Sequence, residues 1–395
     1  NAKVYEDGLL NTSCAFFLDY NNDGFLDLFV GSWWKDYSQR QGMRPELYQG
    51  NGKGVFTNVT DKAGISGLDE RSEKVDSREW PLYGASCCDY DNDGDQDLFL
   101  ATYSPREIVW NNNGDGTFTE VGRKIGVGIR DNTTWEMMPA DYNNDGNIDL
   151  FIVIVHGREG TDNVSCPLIN LGKEGEYKFK WAPEAIKRNV PDGAHHGDHH
   201  ASWIDFDNDG LLDIVITECA YKQPYERLYL CKQNPDHTFT DITKEAGLNA
   251  LTQANPLVVM DYDRDGAEDI ITAIFDKKDQ IRVYKNNIGT KNNWIDINLE
   301  GKGVAGKSNR SAIGARVIVK SGDLTQIREI YAGSGHFGTQ HPLNLHLGFG
   351  KRDKIDSIEV HWPNKDKTVQ VFDKNLKINQ FIKITEDSDE LKYLK

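Results

Sequence analysis

One nine-residue pattern, D-x-[DN]-x-D-G-x-x-D, recurs five times and constrains the chain more than any other feature. The copies are Asp19–Asp27, Asp89–Asp97, Asp141–Asp149, Asp205–Asp213 and Asp261–Asp269. Oxygen-bearing side chains at positions 1, 3, 5 and 9 surround one point, and Gly at position 6 permits the sharp turn. Isolated copies would pass as ordinary Asp/Asn/Gly turns. Five copies with the same acids in the same places point instead to cation loops.

An oxygen-only donor set suits Ca²⁺, whereas Zn²⁺ favours His and Cys. The expected ligands are Asp19, Asn21, Asp23, Phe25 and Asp27 in the first loop. The second offers Asp89, Asp91, Asp93, Asp95 and Asp97, and the third Asp141, Asn143, Asp145, Asn147 and Asp149. Asp205, Asp207, Asp209, Leu211 and Asp213 form the fourth set; Asp261, Asp263, Asp265, Ala267 and Asp269 form the fifth. Position 7 contributes its backbone carbonyl. About five Ca²⁺ are expected.

Charge follows the repeats. Of the 395 residues, those from 277 on hold 21 Lys+Arg against 14 Asp+Glu, while the chain as a whole carries −17. The first 276 residues therefore carry −24, a poor match to nucleic acid. No apolar run approaches the ~20 residues of a membrane helix. The chain opens at Asn1 without Met, which would fit removal of a leader.

Short apolar runs follow each loop, such as Leu28-Phe29-Val30 and Leu150-Phe151-Ile152-Val153. They read as buried strands, so an EF-hand with its helices is excluded. A second strand–turn–strand motif then appears, as in LYQGNGKGVFTNVT from Leu47 and VWNNNGDGTFTEV from Val109. Two hairpins make a four-stranded unit. The loop spacings of 70, 52, 64 and 56 residues are of propeller-blade size.

These hairpins resemble FG-GAP/VCBS propeller repeats. The segments NNWIDINLEGKGVAGKSNRSAIGARVIV from Asn292, GSGHFGTQHPLNLHLGFG from Gly333 and IDSIEVHWP from Ile355 resemble the ASPIC/UnbV module. Together they resemble the cartilage acidic protein 1-like family over nearly the whole chain. The resemblance implies an all-β, calcium-binding β-propeller.

Residues 1–288 are expected to hold the five loop-bearing blades, 289–386 the ASPIC/UnbV-like region, and 387–395 a charged tail. Some seven strand-like runs in the second region, with one N-terminal strand, predict two further blades and a seven-bladed ring. The alternative is a five- or six-bladed ring with an appended β-sandwich.

The sequence DGAHHGDHHASWIDFDNDG places His195, His196, His199 and His200 ahead of the fourth loop. Counting back from each loop pairs Ser13/Cys14, Tyr83/Gly84, Trp135/Glu136, His199/His200 and Asn255/Pro256 on the strands expected beside the axis. His336 and His341 lie in the ASPIC/UnbV-like part. Three readings stand: ordinary loop histidines, a transition-metal site, or an acid–base pair. The candidate catalytic residues are His199, His200, Glu136, His336 and His341.

Six cysteines fit an oxidising compartment, with Cys219–Cys231 the expected pair. The reading that follows is a secreted, periplasmic or surface scaffold binding a protein or glycan. Ser32–Arg44 is a candidate contact loop, and self-assembly is a further alternative. A His-centred hydrolase or lyase at the channel mouth is the competing reading.

Overall fold

The computed structural model describes residues 12–36, 41–65, 81–103, 107–130, 132–157, 165–188, 197–218, 228–248, 254–274, 281–333, 335–336 and 339–394. Five antiparallel meanders follow one another. Sheet one runs Thr12–Leu18, Asp27–Ser32, Glu46–Gly50, Phe56–Asn58; sheet two runs Leu82–Cys88, Asp97–Thr102, Ile108–Asn112, Phe118–Glu120. Sheet three holds Asn132–Ala140, Asp149–Gly157, Cys166–Asn170 and Phe179–Trp181. Sheet four holds Asp198–Ile204, Asp213–Glu218, Leu228–Gln233 and Phe239–Asp241, with Ile186–Lys187 added in parallel at its outer edge. Sheet five holds Ala254–Met260, Asp269–Ile274 and Ile281–Tyr284.

Register is the same in all five. The residue before loop position 1 pairs with position 9: Leu18 with Asp27, Cys88 with Asp97, Ala140 with Asp149, Ile204 with Asp213, Met260 with Asp269. Every loop is thus the tip of a hairpin between first and second strands. The first strands of successive sheets contact one another, which puts them innermost, as in a β-propeller. Apolar side chains such as Phe99, Phe151, Ile214 and Trp203 fill the layers between sheets.

The C-terminal strands depart from the seven-blade expectation. Sheet six has the order Leu345–Gly350, Asn293–Glu300, Gln380–Thr385, Lys392–Leu394, and its two central strands are parallel. Sheet seven has the order Leu324–Glu329, Arg316–Ser321, Ser357–His361, Val369–Phe372. Neither is a meander of consecutive strands, so they do not extend the series of blades. Ile295, Ile297, Val317, Val319, Leu347, Ile358 and Ile382 lie in one core, which continues into sheets one and two.

These two sheets sit against the tips of the five loops. The amide of Gly306 donates to Asp23 O at 3.0 Å, and that of Gly350 donates to Asn208 O at 2.6 Å. Arg264 lies over the Phe381 ring at 4.3 Å. Gly24 has φ +93, and a Cβ there would overlap the carbonyl oxygens of Val304 and Lys307.

Gly24→Ala is therefore expected to cost more than about 2 kcal/mol, from backbone strain plus collision. Gly54, with φ +77 and open space around it, is the control: Gly54→Ala carries only the left-handed penalty of about 1–2 kcal/mol. Denaturant midpoints of the two variants separate the terms. Equal midpoints would mean that the C-terminal sheets do not press on loop one.

A strap from the C-terminal part enters the axis. Gly335–His336 pairs with Ala85 and Gly84 on the inner edge of sheet two. The Gly333 amide donates to Gln340 Oε1 at 2.8 Å. The chain then reaches the first strands of sheets four and five through His341.

Candidate metal centres

Each loop is tied by the same hydrogen bonds. Both oxygens of the position-1 carboxylate accept backbone amides: Asp19 from Asp23 and Gly24 at 3.0 Å each, Asp89 from Asp93 and Gly94 at 3.0 Å each. Asp141, Asp205 and Asp261 repeat the pattern. The position-5 carboxylate accepts the position-7 amide in all five, at 2.9–3.1 Å.

Position 9 fastens the loop to the third strand. Asp27 accepts the Gly50 amide at 2.8 Å, and Asp97 and Asp149 accept those of Asn112 and Asn170 at 2.7 Å. Position 4 is left-handed throughout, at φ 53 to 61, a conformation that Asn tolerates well.

The loops are also laced to each other. Asn22 Nδ2 donates to Asp95 Oδ1 at 2.7 Å, and Asn92 Nδ2 to Asn147 Oδ1 at 3.1 Å. Asn144 and Asn208 donate to the carbonyls of Gly210 and Gly266 at 3.1 and 2.7 Å. A second set runs the other way: Asn112, Asn170, Gln233 and Asn286 reach back to the position-2 carbonyls of Tyr20, Tyr90, Tyr142 and Phe206.

The lacing has two ends. At its start, the residue equivalent to Asn112 is Gly50, which has no side chain to reach back; at its finish, position 4 is Arg264, aimed at Phe381. Both ends are met by the C-terminal sheets.

Acidic groups crowd inside these loops. In three of them a carboxylate oxygen from each of three residues lies within 4.8 Å of the others: Asp89, Asp91 and Asp97; Asp205, Asp207 and Asp213; Asp261, Asp263 and Asp265. Burial, then the Asp23 charge, pushes Asp19 up to about 7. Burial likewise lifts Asp27 to about 8 and Asp141 to about 7, and holds Asp97, Asp149 and Asp213 well above the usual range.

Asp91 Oδ1, Asp149 Oδ2 and Asp207 Oδ1 are buried without a hydrogen-bond partner among the described residues. Orphaned acceptors of this kind, among crowded carboxylates, fit a hard cation. Lysines engage some outer oxygens: Lys232 bridges Asp207 and Asp209, and Lys285 bridges Asp263 and Asp265. Lys232 takes the Oδ2 atoms and leaves Asp207 Oδ1 bare. Lacing and lysines both escaped the sequence reading, although Asn at position 4 in four copies was visible.

The histidine candidates take different partners. His200 Nδ1 pairs with Glu136 Oε1, both buried, and Glu136 Oε2 accepts the Ala201 amide at 3.1 Å. His199 packs edge-on against Trp135 at 3.7 Å between ring centres, and Trp135 stacks on Tyr83 at 5.0 Å. Of the strand positions expected beside the axis, Tyr83, Trp135, Glu136, His199 and His200 meet.

His341 lies within electrostatic reach of His200 but is held by other partners, Nδ1 accepting the Val259 amide and Nε2 facing Ser202 Oγ, both at 3.2 Å. Burial holds its imidazole down at about 4. It pins the strap to sheets four and five. His195, His196, Cys219 and the side chains of His336, Asn255 and Pro256 lie outside the described residues.

Among the described residues, no cluster of three ligand atoms within 4.8 Å includes a histidine. Trp33 and Trp34 of the candidate contact loop pack on Tyr83 and Tyr103 at 5.6 Å each. Residues 37–40 of that loop are outside the described set.

The FG-GAP-like repeat family matches residues 89–152 and 205–272, and the ASPIC and UnbV family matches residues 304–391. The chain joins FG-GAP-like repeats to an ASPIC and UnbV segment. Cartilage acidic protein 1 of Homo sapiens is 28% identical over 276 residues, covering 68% of this chain and 39% of that protein. The Xenopus tropicalis protein of the same name is 27% identical, covering 69% and 40%. The chain thus spans about two fifths of the length of the curated relatives it matches.

Among solved structures, an endo-arabinase from Bacteroides thetaiotaomicron aligns with TM-score 0.37 and 13% identity, over 70% of this chain and 94% of that one. An exotype rhamnogalacturonan lyase aligns with TM-score 0.34 and 12% identity, over 89% and 75%. No helix among the described residues is long and apolar enough to cross a membrane.

Proposed function

We propose that the FG-GAP-like repeats hold about five Ca²⁺ and that the loaded protein is a rigid binding scaffold working outside the cytosol. The observation that carries this reading is the five-fold identity of the loops, with bare buried carboxylate oxygens at Asp91, Asp149 and Asp207. The ion would be held by positions 1, 3, 5 and 9 together with the position-7 carbonyl. When bound, it supplies positive charge that lets the buried carboxylates ionise.

Loops of this type in extracellular modules hold Ca²⁺ in the ~10⁻⁴–10⁻³ M range, which suits a calcium-rich exterior. The relatives' name, cartilage acidic protein 1, agrees with an acidic protein of an extracellular tissue. The partner is a protein or glycan, contacted through loops on the rigid frame.

Calorimetric titration of chelator-stripped protein with Ca²⁺ tests the reading, with a stoichiometry near five expected. Asp97→Asn is expected to remove one site and leave the rest. No heat of binding with Ca²⁺, or a response to Zn²⁺ instead, overturns it.

A second reading, hydrolase or lyase chemistry, is favoured by the His200–Glu136 pair beside Trp135 and His199. A turnover found in a glycan panel and lost in Glu136→Gln would support it; turnover unchanged by that substitution would place the chemistry elsewhere.

A further inference from the structure

The strap leaves a partly enclosed cavity of about 130 Å³ where it meets the inner-strand ends of sheets three, four and five. Its polar lining includes Glu268, Asp296, Arg328 and His346, and Trp203 and Val259 contribute apolar wall. Asp141 and Asp261, the position-1 carboxylates of loops three and five, and Glu329, which pairs with Arg316, also line it.

His346 is 8% exposed and its tautomer follows from its neighbour. Asn208 Nδ2 donates to the carbonyls of Gly266 and Gly289 at 2.7 and 3.0 Å, so Asn208 Oδ1 is the end facing His346. His346 Nε2 donates to that oxygen at 2.7 Å. Nδ1 is left as a buried lone pair with no partner among the described residues. Burial, then the Arg328 charge, holds the imidazole down at about 3, so a proton does not relieve it.

The charged groups are incompletely matched as well. Arg328 is partly buried, and among the described residues its guanidinium donates only to Ile327 O at 2.9 Å and Gln326 Oε1 at 3.0 Å. It makes no ion pair among the described residues. Glu268 accepts the Asp205 amide through one oxygen, and Asp296 accepts Asn344 through one. The cavity therefore offers both spare donors and spare acceptors, and such groups are costly when they are buried unmatched.

We infer that this cavity binds one small neutral polyol, whose hydroxyls accept from Arg328 and donate to Glu268, Asp296 and His346 Nδ1. The neutral class rests on the calcium reading: with Asp141 and Asp261 neutralised by loop ions and Glu329 by Arg316, a cation meets the Arg328 guanidinium and an anion meets Glu268 and Asp296. Size follows from the volume. A cavity of roughly 150 Å³ holds benzene, so about six heavy atoms fit, the size of a triol. Four waters at about 30 Å³ each would fill the same space and are the competing occupant.

The test is ligand-observed NMR titration of the full chain, in calcium-containing buffer, with glycerol, erythritol, ethanolamine and glycolate. Saturable binding of a polyol is expected, weakened roughly tenfold or more in Glu268→Gln, since a hydrogen bond to a charged group is lost. Leu343→Phe, which narrows the cavity without removing a charge, is expected to abolish binding and stands in if the first variant fails to fold.

Three outcomes overturn the inference. Failure of every polyol to saturate below about 100 mM would leave water as the occupant. Preference for the amine or the acid would refute the neutral class, and binding unchanged in both variants would refute the location. The calcium titration above is read separately, so failure of that reading and failure of this inference are distinguishable.

Discussion

Stripping calcium with a chelator is expected to lower the thermal unfolding midpoint by at least about 10 °C. At a free ion concentration ten times Kd, one site adds about 1.4 kcal/mol. Five such sites add about 7 kcal/mol, comparable with the whole 5–15 kcal/mol stability of a typical domain. The lacing adds a second expectation. Asn22, Asn92, Asn144 and Asn208 fasten each loop to the next, so ordering one loop by an ion favours the next.

Calcium titrations followed by melting should accordingly be steeper in the parent than in Asn92→Ala. The pH dependence of the stripped protein has a definite sign. Asp19 and Asp141 titrate near 7 and Asp27 near 8 when folded, against about 3.9 unfolded. The folded state therefore binds more protons, and its stability falls as pH rises from about 4 through about 8. Calcium removes that slope by stabilising the ionised form. A midpoint that moves less than about 2 °C on chelation would end the calcium reading.

The loops and their hairpins were legible because everything that defines them is local. Nine residues supply the acids, the left-handed position 4 and the glycine, and the apolar run that follows declares a strand. Blade number was not legible. Seven strand-like runs after residue 288 look like two blades when only counted. Their order depends on pairings such as Ile297 with Ile382, made across more than eighty intervening residues.

The same distance hid the site geometry. His336 and His341 were grouped with His199 and His200 by residue type, yet His341 is spent on Val259 and Ser202. Glu136 and His200 did meet, because alternation along two neighbouring inner strands is a local rule carried across one interface. His346, the histidine with the bare nitrogen, stood in an ordinary strand run and gave no signal.

Removing one side chain, Arg316, should cost roughly half or more of what stripping the ions costs. Arg316 lies on sheet seven directly opposite Glu329, and its guanidinium donates to Glu329 Oε1 at 2.7 Å through Nε. Nη2 donates to Asp89 O at 2.6 Å, and Nη1 to Asn92 Oδ1. One side chain thus clamps the C-terminal sheets to loop two. Burial alone would lower its pKa, but Glu329 and Asp89 outweigh burial and keep it charged.

Arg316→Ala leaves Glu329 buried beside Asp89 with no countercharge, at an expected cost of about 3–5 kcal/mol. Arg316→Lys should recover little, since an ammonium cannot span the same fork of acceptors. The loss should be larger in chelator than in saturating calcium, because an ion in loop two replaces part of the missing charge near Asp89. Chemical denaturation of both variants, with and without calcium, measures these differences. A loss under about 1 kcal/mol, or one indifferent to calcium, would mean that the C-terminal sheets and the cation loops are stabilised separately.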